Sequence, residues 1–186
     1  MKYVVIVNGK PESGKTTFEG LCISHLNKSE VAHGHILSSI DFVKKIYELL
    51  GWNGVKTQQA RKHLSELKKI WIETSNGPIN YVLRNVMEEF SEDEDHIIFV
   101  DVREESEIIA MVEAFEPLQS HDVKCTTLFI NRPDNEGIEY GNKSDDSVGQ
   151  NMSLYNYIIN NSSGLLEFCD MAELFINNLI FGGTNK

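Results

Sequence analysis

Gly9-Lys10-Pro11-Glu12-Ser13-Gly14-Lys15-Thr16 satisfies G-x-x-x-x-G-K-[S/T], and Thr17 follows it. Each residue type has a task there. The two glycines let the backbone curl until successive N–H groups point inward, where they can cradle phosphate oxygens. Lys15 can carry its charge to the β- and γ-phosphates, and the Thr16 hydroxyl suits Mg²⁺. A helix opening near Lys15 adds the positive end of its dipole. Out of context, such a pattern is a glycine turn with a capping threonine. Here a β-branched run, Lys2 to Val7, leads in and a helical pattern leads out, which is the context a phosphate cradle needs. The expected ligand is a purine nucleoside triphosphate, Mg·ATP, in contact with residues 9–17.

Other residues could share that chemistry. Ile97-Ile98-Phe99-Val100-Asp101 is an apolar run ending in a carboxylate, which could hold a Mg²⁺ water at the C-terminal edge of a sheet. Arg103 lies two residues on, and Arg132 follows a later apolar run; with Lys15 they form the expected set neutralising a transferring phosphoryl. In the helical pattern over 57–72, Arg61, Ser65 and Lys68 fall on one stripe beside the apolar residues Ala60, Leu64, Leu67 and Trp71. Arg61 and Lys68, with Asp41, are the expected acceptor-binding residues; a solvated face and a helix-start carboxylate are the plain alternatives.

Two patterns are set aside. Asn142-Lys143-Ser144-Asp145 matches the guanine-reading N-K-x-D of GTPases, but the preceding apolar run ends at Ile130, and Asp101-Val102-Arg103-Glu104 is not D-x-x-G. His33 and His35 alternate along a strand-like segment and share a face, yet no third ligand lies near in sequence, so no metal is expected there.

These residues need elements to hold them. Strand-like runs cover Lys2–Val7, His33–Leu37, Ile97–Val100, Thr126–Ile130 and Tyr157–Ile159. Helical patterns fill 15–27, 40–50 (capped by Ser38 or Ser39), 57–72, the stretch after Gly77-Pro78, 104–116 and 164–180. The alternation predicts an α/β fold, a parallel sheet flanked by helices. Residues 131–150 are polar and rich in Gly, Asp and Asn, which reads as a long loop or lid.

Composition excludes several classes. With 28 acidic against 17 basic residues and a formal charge of −11, the chain has no basic face for nucleic acid. Arg61, Arg84, Arg103 and Arg132 are its whole set of arginines. Cys22, Cys125 and Cys169 are in no CxxC pattern and read as small buried hydrophobes in a reducing, cytoplasmic setting. Met1 runs straight into a strand, with no secretory leader expected, and no apolar stretch approaches a membrane span.

The P-loop, Ser38-Ser39-Ile40-Asp41 before a helix, the basic 57–72 segment, Asn76-Gly77-Pro78, the Asp101–Glu104 turn, and the late Asn142–Asp145 and Asn156–Asn161 together resemble small bacterial and phage deoxynucleoside monophosphate kinases. The resemblance covers nearly the whole chain, and the P-loop is its one specific motif. It implies a three-layer P-loop kinase fold with a five-stranded parallel sheet. One domain would comprise a core (1–37, 93–130 and 151–186), an acceptor-binding helical insert (38–92) and a lid (131–150). It implies phosphoryl transfer from Mg·ATP to a (deoxy)nucleoside monophosphate, Thr16 and Asp101 serving Mg²⁺. The lid departs from the adenylate-kinase pattern in offering only Arg132 and Lys143. Two alternatives stand beside this reading: a nucleotide-binding regulator or slow ATPase with no acceptor, and a kinase for a non-nucleotide phosphate such as phosphomevalonate.

Overall fold

The β-branched run after Met1 is buried from Tyr3 to Val7, and a strand buried on both faces belongs at the centre of a sheet. The computed structural model, which describes residues 1–91, 94–135, 148–162 and 164–182, puts it there. Strand β1 (Lys2–Asn8) lies between β3 (His96–Asp101) and β4 (Val123–Asn131), with β2 (His33–Ser38) and β5 (Tyr157–Asn160) at the edges. All pairings are parallel, in the order β2-β3-β1-β4-β5. The expected α/β architecture, a five-stranded parallel sheet with helices on both faces, is the observed one.

Alternation along the strands sorts the core into two layers. Val5, Val7, Ile97, Phe99, Leu128 and Ile130 face helices α1 (Lys15–Ser29) and α6 (Leu165–Phe181) through Phe18, Cys22, Phe168 and Phe175. Val4, Ile6, Ile98 and Val100 face the other way, against Val82 and Val86 of α4 (Gly77–Glu89) and Ile108 and Met111 of α5 (Glu105–Phe115). Helices α2 (Asp41–Leu49) and α3 (Gln58–Ser75) complete the segment between β2 and β3. Among the described residues no helix is long and apolar enough to cross a membrane.

Local chemistry sets the helix ends. Thr57 caps α3 by accepting from the Ala60 N–H at 3.1 Å. Asn76, at φ 51°, turns α3 into α4, and a Cβ on Gly77 would meet the Trp71 ring at 2.0 Å, so only glycine fits that corner. Neither Ser38 nor Ser39 caps α2. Its N-cap is Ile40, and the Asp41 carboxylate instead accepts from the Ser38 N–H at 2.8 Å, reaching back over the turn.

Two burial expectations are corrected. Cys169 is exposed and Cys125 half-buried, because the stripe Phe168, Ala172, Phe175 and Ile176 turns residue 169 outward and β4 leaves residue 125 partly uncovered; only Cys22 is a buried hydrophobe. On α3 the buried stripe is Ala60, Leu64 and Lys68, so the lysine occupies a core position one turn past Leu64, and Leu67 and Trp71 are partly exposed.

Candidate functional site

At the C-terminal edge of β1, the chain enters the Gly9–Thr16 loop with Gly9 at φ 154°, Glu12 at φ 62° and Gly14 at φ 99°. Both glycines are required by close approach as well as by angle. A Cβ on Gly9 would lie 2.5 Å from the Ile130 carbonyl oxygen, and one on Gly14 would lie 2.6 Å from Asn161 Nδ2. Asn161 donates from that nitrogen to the Ser13 carbonyl at 2.9 Å, so the segment joining β5 to α6 braces the loop. The Lys15 ammonium donates to the Gly9 and Lys10 carbonyls at 2.7 and 3.1 Å, which holds it across the loop mouth. Lys10, Pro11 and Glu12 form the outer wall, and Thr16 and Thr17 lie exposed in the first turn of α1. Beneath, the Ser13 hydroxyl and Asn8 Oδ1 are buried with no hydrogen-bond partner among the described residues.

Asp101 ends β3 opposite Val7, so the carboxylate and the P-loop leave adjacent strands side by side. That junction is where successive crossovers run in opposite directions, from β1 out to β2 and from β3 across to β4, the topological switch at which open α/β sheets bind ligands. Asp101 Oδ1 is buried without a hydrogen-bond partner among the described residues. Burial raises its pKa; the charges of Lys15, Lys44 and Arg103 oppose the rise, and Asp41 adds to it.

Glu19 lies one helical turn beyond Lys15 and is fully buried, with neither carboxyl oxygen hydrogen-bonded among the described residues. Burial first, and then the Asp101 charge, push its pKa up to about 8, against the pull of Lys15. At neutral pH it is therefore held mainly protonated. Sequence reading missed Glu19 because a carboxyl in a helix reads as surface; its i+4 spacing from Lys15 was the available signal.

The remaining candidates divide. Asp41 stands beside the site, bound to Lys44 Nζ at 2.7 Å, while the neighbouring Ser39 N–H donates to the Asp101 carbonyl at 3.1 Å. Lys44 was missed as well, although i+3 from Asp41 it belongs to the same helical face. Arg132 leans over the loop, Nη1 donating to the Glu12 carbonyl at 3.3 Å. The Arg103 side chain is exposed, while its carbonyl accepts from Asn8 Nδ2 at 3.0 Å and fixes the turn after β3. Arg61 is half-buried on α3. Lys68 is 7% exposed and bonded to Glu107 at 2.7 Å and Glu104 at 3.2 Å, an internal ion pair tying α3 to the start of α5. Lys143 and the Asn142–Asp145 motif lie outside the described residues.

Mg²⁺ fits this donor set. An orphaned carboxylate oxygen on Asp101 and an exposed hydroxyl on Thr16 are hard oxygen ligands near a phosphate cradle, the chemistry that cation takes.

No protein-family model matches the chain, and no curated protein does. Among solved structures, the APS kinase of Mycobacterium tuberculosis in complex with AMPPNP and APS is 14% identical, with 96% of this chain and 97% of that one covered and a TM-score of 0.53. The tunicamycin resistance protein of Deinococcus radiodurans is 12% identical over 95% and 96% of the two chains, at a TM-score of 0.51. The protein APE1195 is 15% identical over 96% of each, also at 0.51. Identities this low speak for the fold alone, the α/β fold that the chain shares with these structures.

Proposed function

We propose that the chain is a kinase that transfers the γ-phosphoryl of Mg·ATP to a small phosphate-bearing acceptor, a (deoxy)nucleoside monophosphate in the first instance. The observation that carries the reading is the pairing of a complete P-loop with the orphaned Asp101 carboxylate on the adjacent strand, at the switch point of the sheet.

The reaction asks little covalent chemistry of the protein. An acceptor phosphate oxygen attacks the γ-phosphorus, the bond to the β–γ bridging oxygen breaks, and ADP leaves with that electron pair. Loop N–H groups and Lys15 hold the β- and γ-phosphates, and positioning of this kind supplies roughly 7–11 kcal/mol of barrier reduction. Lys15 must leave the Gly9 and Lys10 carbonyls to meet a phosphate, an exchange of partners within reach of its stem. Arg132 and Arg103 add charge stabilisation where it develops. Thr16 and Asp101 hold Mg²⁺, which when bound neutralises phosphate charge. Arg61 binds the acceptor phosphate and Asp41 and Lys44 border it, while the expected lid over 131–150 lies mostly outside the described residues. Lys68 we now assign a positioning role, since its ammonium is held by two glutamates. A cytoplasmic setting, where ATP is abundant, suits three free cysteines.

That same ion pair favours a second reading. With one of the two expected acceptor cations turned inward, the chain could bind ATP and hydrolyse it slowly as a regulator. A panel of nucleoside and non-nucleotide monophosphates, phosphomevalonate among them, separates the readings. The kinase gives acceptor-dependent ADP release and a phosphorylated product; ADP release indifferent to every acceptor would establish the regulator.

A further inference from the structure

His33 and His35 point to one face of β2, and the fold supplies the partners that the neighbouring sequence lacks. Register pairs His33 with His96, the first residue of β3, so His96 shares that face. Val82, Val86 and Phe90 seat α4 on the same face, which brings Glu89 down over the two strands. His35 Nε2 lies 3.3 Å from Glu89 Oε2, and one donor atom each from His35, Glu89 and His96 all lie within 4.8 Å of one another. The His96 ring is 1% exposed and its centroid is 5.7 Å from that of His35.

We propose that His35, Glu89 and His96 form a binding site for one divalent transition-metal ion of the zinc type. Two imidazoles and one carboxylate are a donor set that zinc takes with a fourth position left to water. Zinc bonds of about 2.0–2.1 Å set tetrahedral ligand atoms roughly 3.3 Å apart, the separation the His35–Glu89 pair already has. The widest pair needs to close by no more than about 1.5 Å to match, which rotation of the half-exposed His35 and Glu89 side chains can provide. His33 stays outside, its Nε2 2.9 Å from Glu94 Oε2.

This site is separate from the nucleotide site. His96 begins β3 and Asp101 ends it, five residues at about 3.3 Å each, so the two lie roughly 16 Å apart at opposite edges of the sheet. Their chemistries differ too, since the P-loop side offers oxygen donors suited to Mg²⁺ whereas this side offers two imidazole nitrogens beside one carboxylate. A metal here clamps the edge strand β2 and the end of α4 to the central sheet.

The test is calorimetric titration of chelator-stripped full-length protein with Zn²⁺, alongside His35→Ala, Glu89→Gln and Asp101→Asn variants. One ion should bind per wild-type chain and per Asp101→Asn chain, with excess Mg²⁺ failing to compete. His35→Ala and Glu89→Gln should each lose about ten- to a hundredfold in affinity. Circular dichroism of the metal-free variants establishes that they are folded, and both positions are half-exposed. A hundredfold excess of Zn²⁺ over the wild-type Kd should raise the wild-type Tm by roughly 5–10 °C and that of those two variants by about half as much or less. Zinc affinity equal in wild type, His35→Ala and Glu89→Gln, or no stoichiometric binding by wild type, overturns the site.

Discussion

In the P-loop, Lys15 rests on two backbone carbonyls of its own loop; on α3, Lys68 rests on two glutamates of another helix. Both were read from sequence as cations for phosphate, and both are bonded within the protein. The carbonyls at Lys15 are neutral dipoles that a phosphate can replace, and the Asp101 carboxyl on the adjacent strand interacts with its charge. The partners at Lys68 are carboxylates, that of Glu107 buried and that of Glu104 half-exposed, and taking the lysine from them would strand Glu107. A cation is available to a ligand according to what it must abandon, which residue type and spacing alone do not reveal.

The largest expected effect tests the Lys15 side. Lys15→Ala should lower turnover at least a hundredfold, about 2.7 kcal/mol, with the fold retained; acceptor-panel kinetics at saturating ATP measures it, and near-wild-type turnover would end the assignment. Lys68→Ala should act on the other axis. Loss of a buried pair costs about 2 kcal/mol after allowance for the half-exposed Glu104, read by urea denaturation, whereas ATP affinity should hardly move. Nucleotide affinity lost together with unchanged stability would reverse the contrast.

Arg61→Ala sharpens it further. Under the proposed reading Arg61 holds the acceptor phosphate from α3, and removing a charge-assisted phosphate contact should lower kcat/KM for the acceptor about ten- to a hundredfold. Arg61→Lys should recover little if the contact is bidentate. A drop in ATP binding instead would mean that α3 does not hold a second substrate. Selectivity is a smaller effect. ATP should bind more tightly than GTP, because β4 ends at Asn131, well before Asn142; GTP preferred by about tenfold, or 1.4 kcal/mol, in a titration would restore the guanine reading.

The last effect is read in stability alone and concerns Glu19. Its pKa is raised from 4.5 to about 8, so the folded chain keeps a proton that the unfolded chain has lost. The associated stability is complete below about pH 4.5 and falls as pH climbs through 8. Glu19→Gln removes that slope. Between pH 5 and pH 8.5 the wild-type Tm should fall by several degrees more than that of the variant, and parallel curves would refute the buried-proton account.

Legibility followed distance along the chain. The P-loop was plain, since its residues are contiguous and each backbone angle has its own sequence signature. Strand β1 and the Asp101 strand were plain as well, because a doubly buried strand is a continuous apolar run. Lys68 misled because periodicity drew the buried stripe through Leu67 and Trp71, while packing drew it through Ala60, Leu64 and Lys68. Glu19 was invisible to a reading that sorts cores by hydrophobicity. The zinc-type site was beyond reach for a different reason: His35, Glu89 and His96 belong to three elements, and only parallel register and the seating of α4 bring them together.

The brace that Asn161 lends Ser13 spans 148 residues, and it sets a timetable for the protein's biogenesis. On a ribosome the Gly9–Thr16 segment is made well before Asn161, which emerges roughly 7–30 s later at 5–20 residues per second. Strand β1 waits too, for both of its neighbours begin beyond residue 95. Until then the glycine-rich segment has no carbonyl of Ile130 to curl against and no amide over it, so a nascent chain carries the nucleotide motif without a nucleotide site. Under the proposed reading, substrate ATP can therefore stabilise this fold only after it closes, and ribosome-bound chains stalled before β5 should show no retention on an ATP resin while full-length chains do.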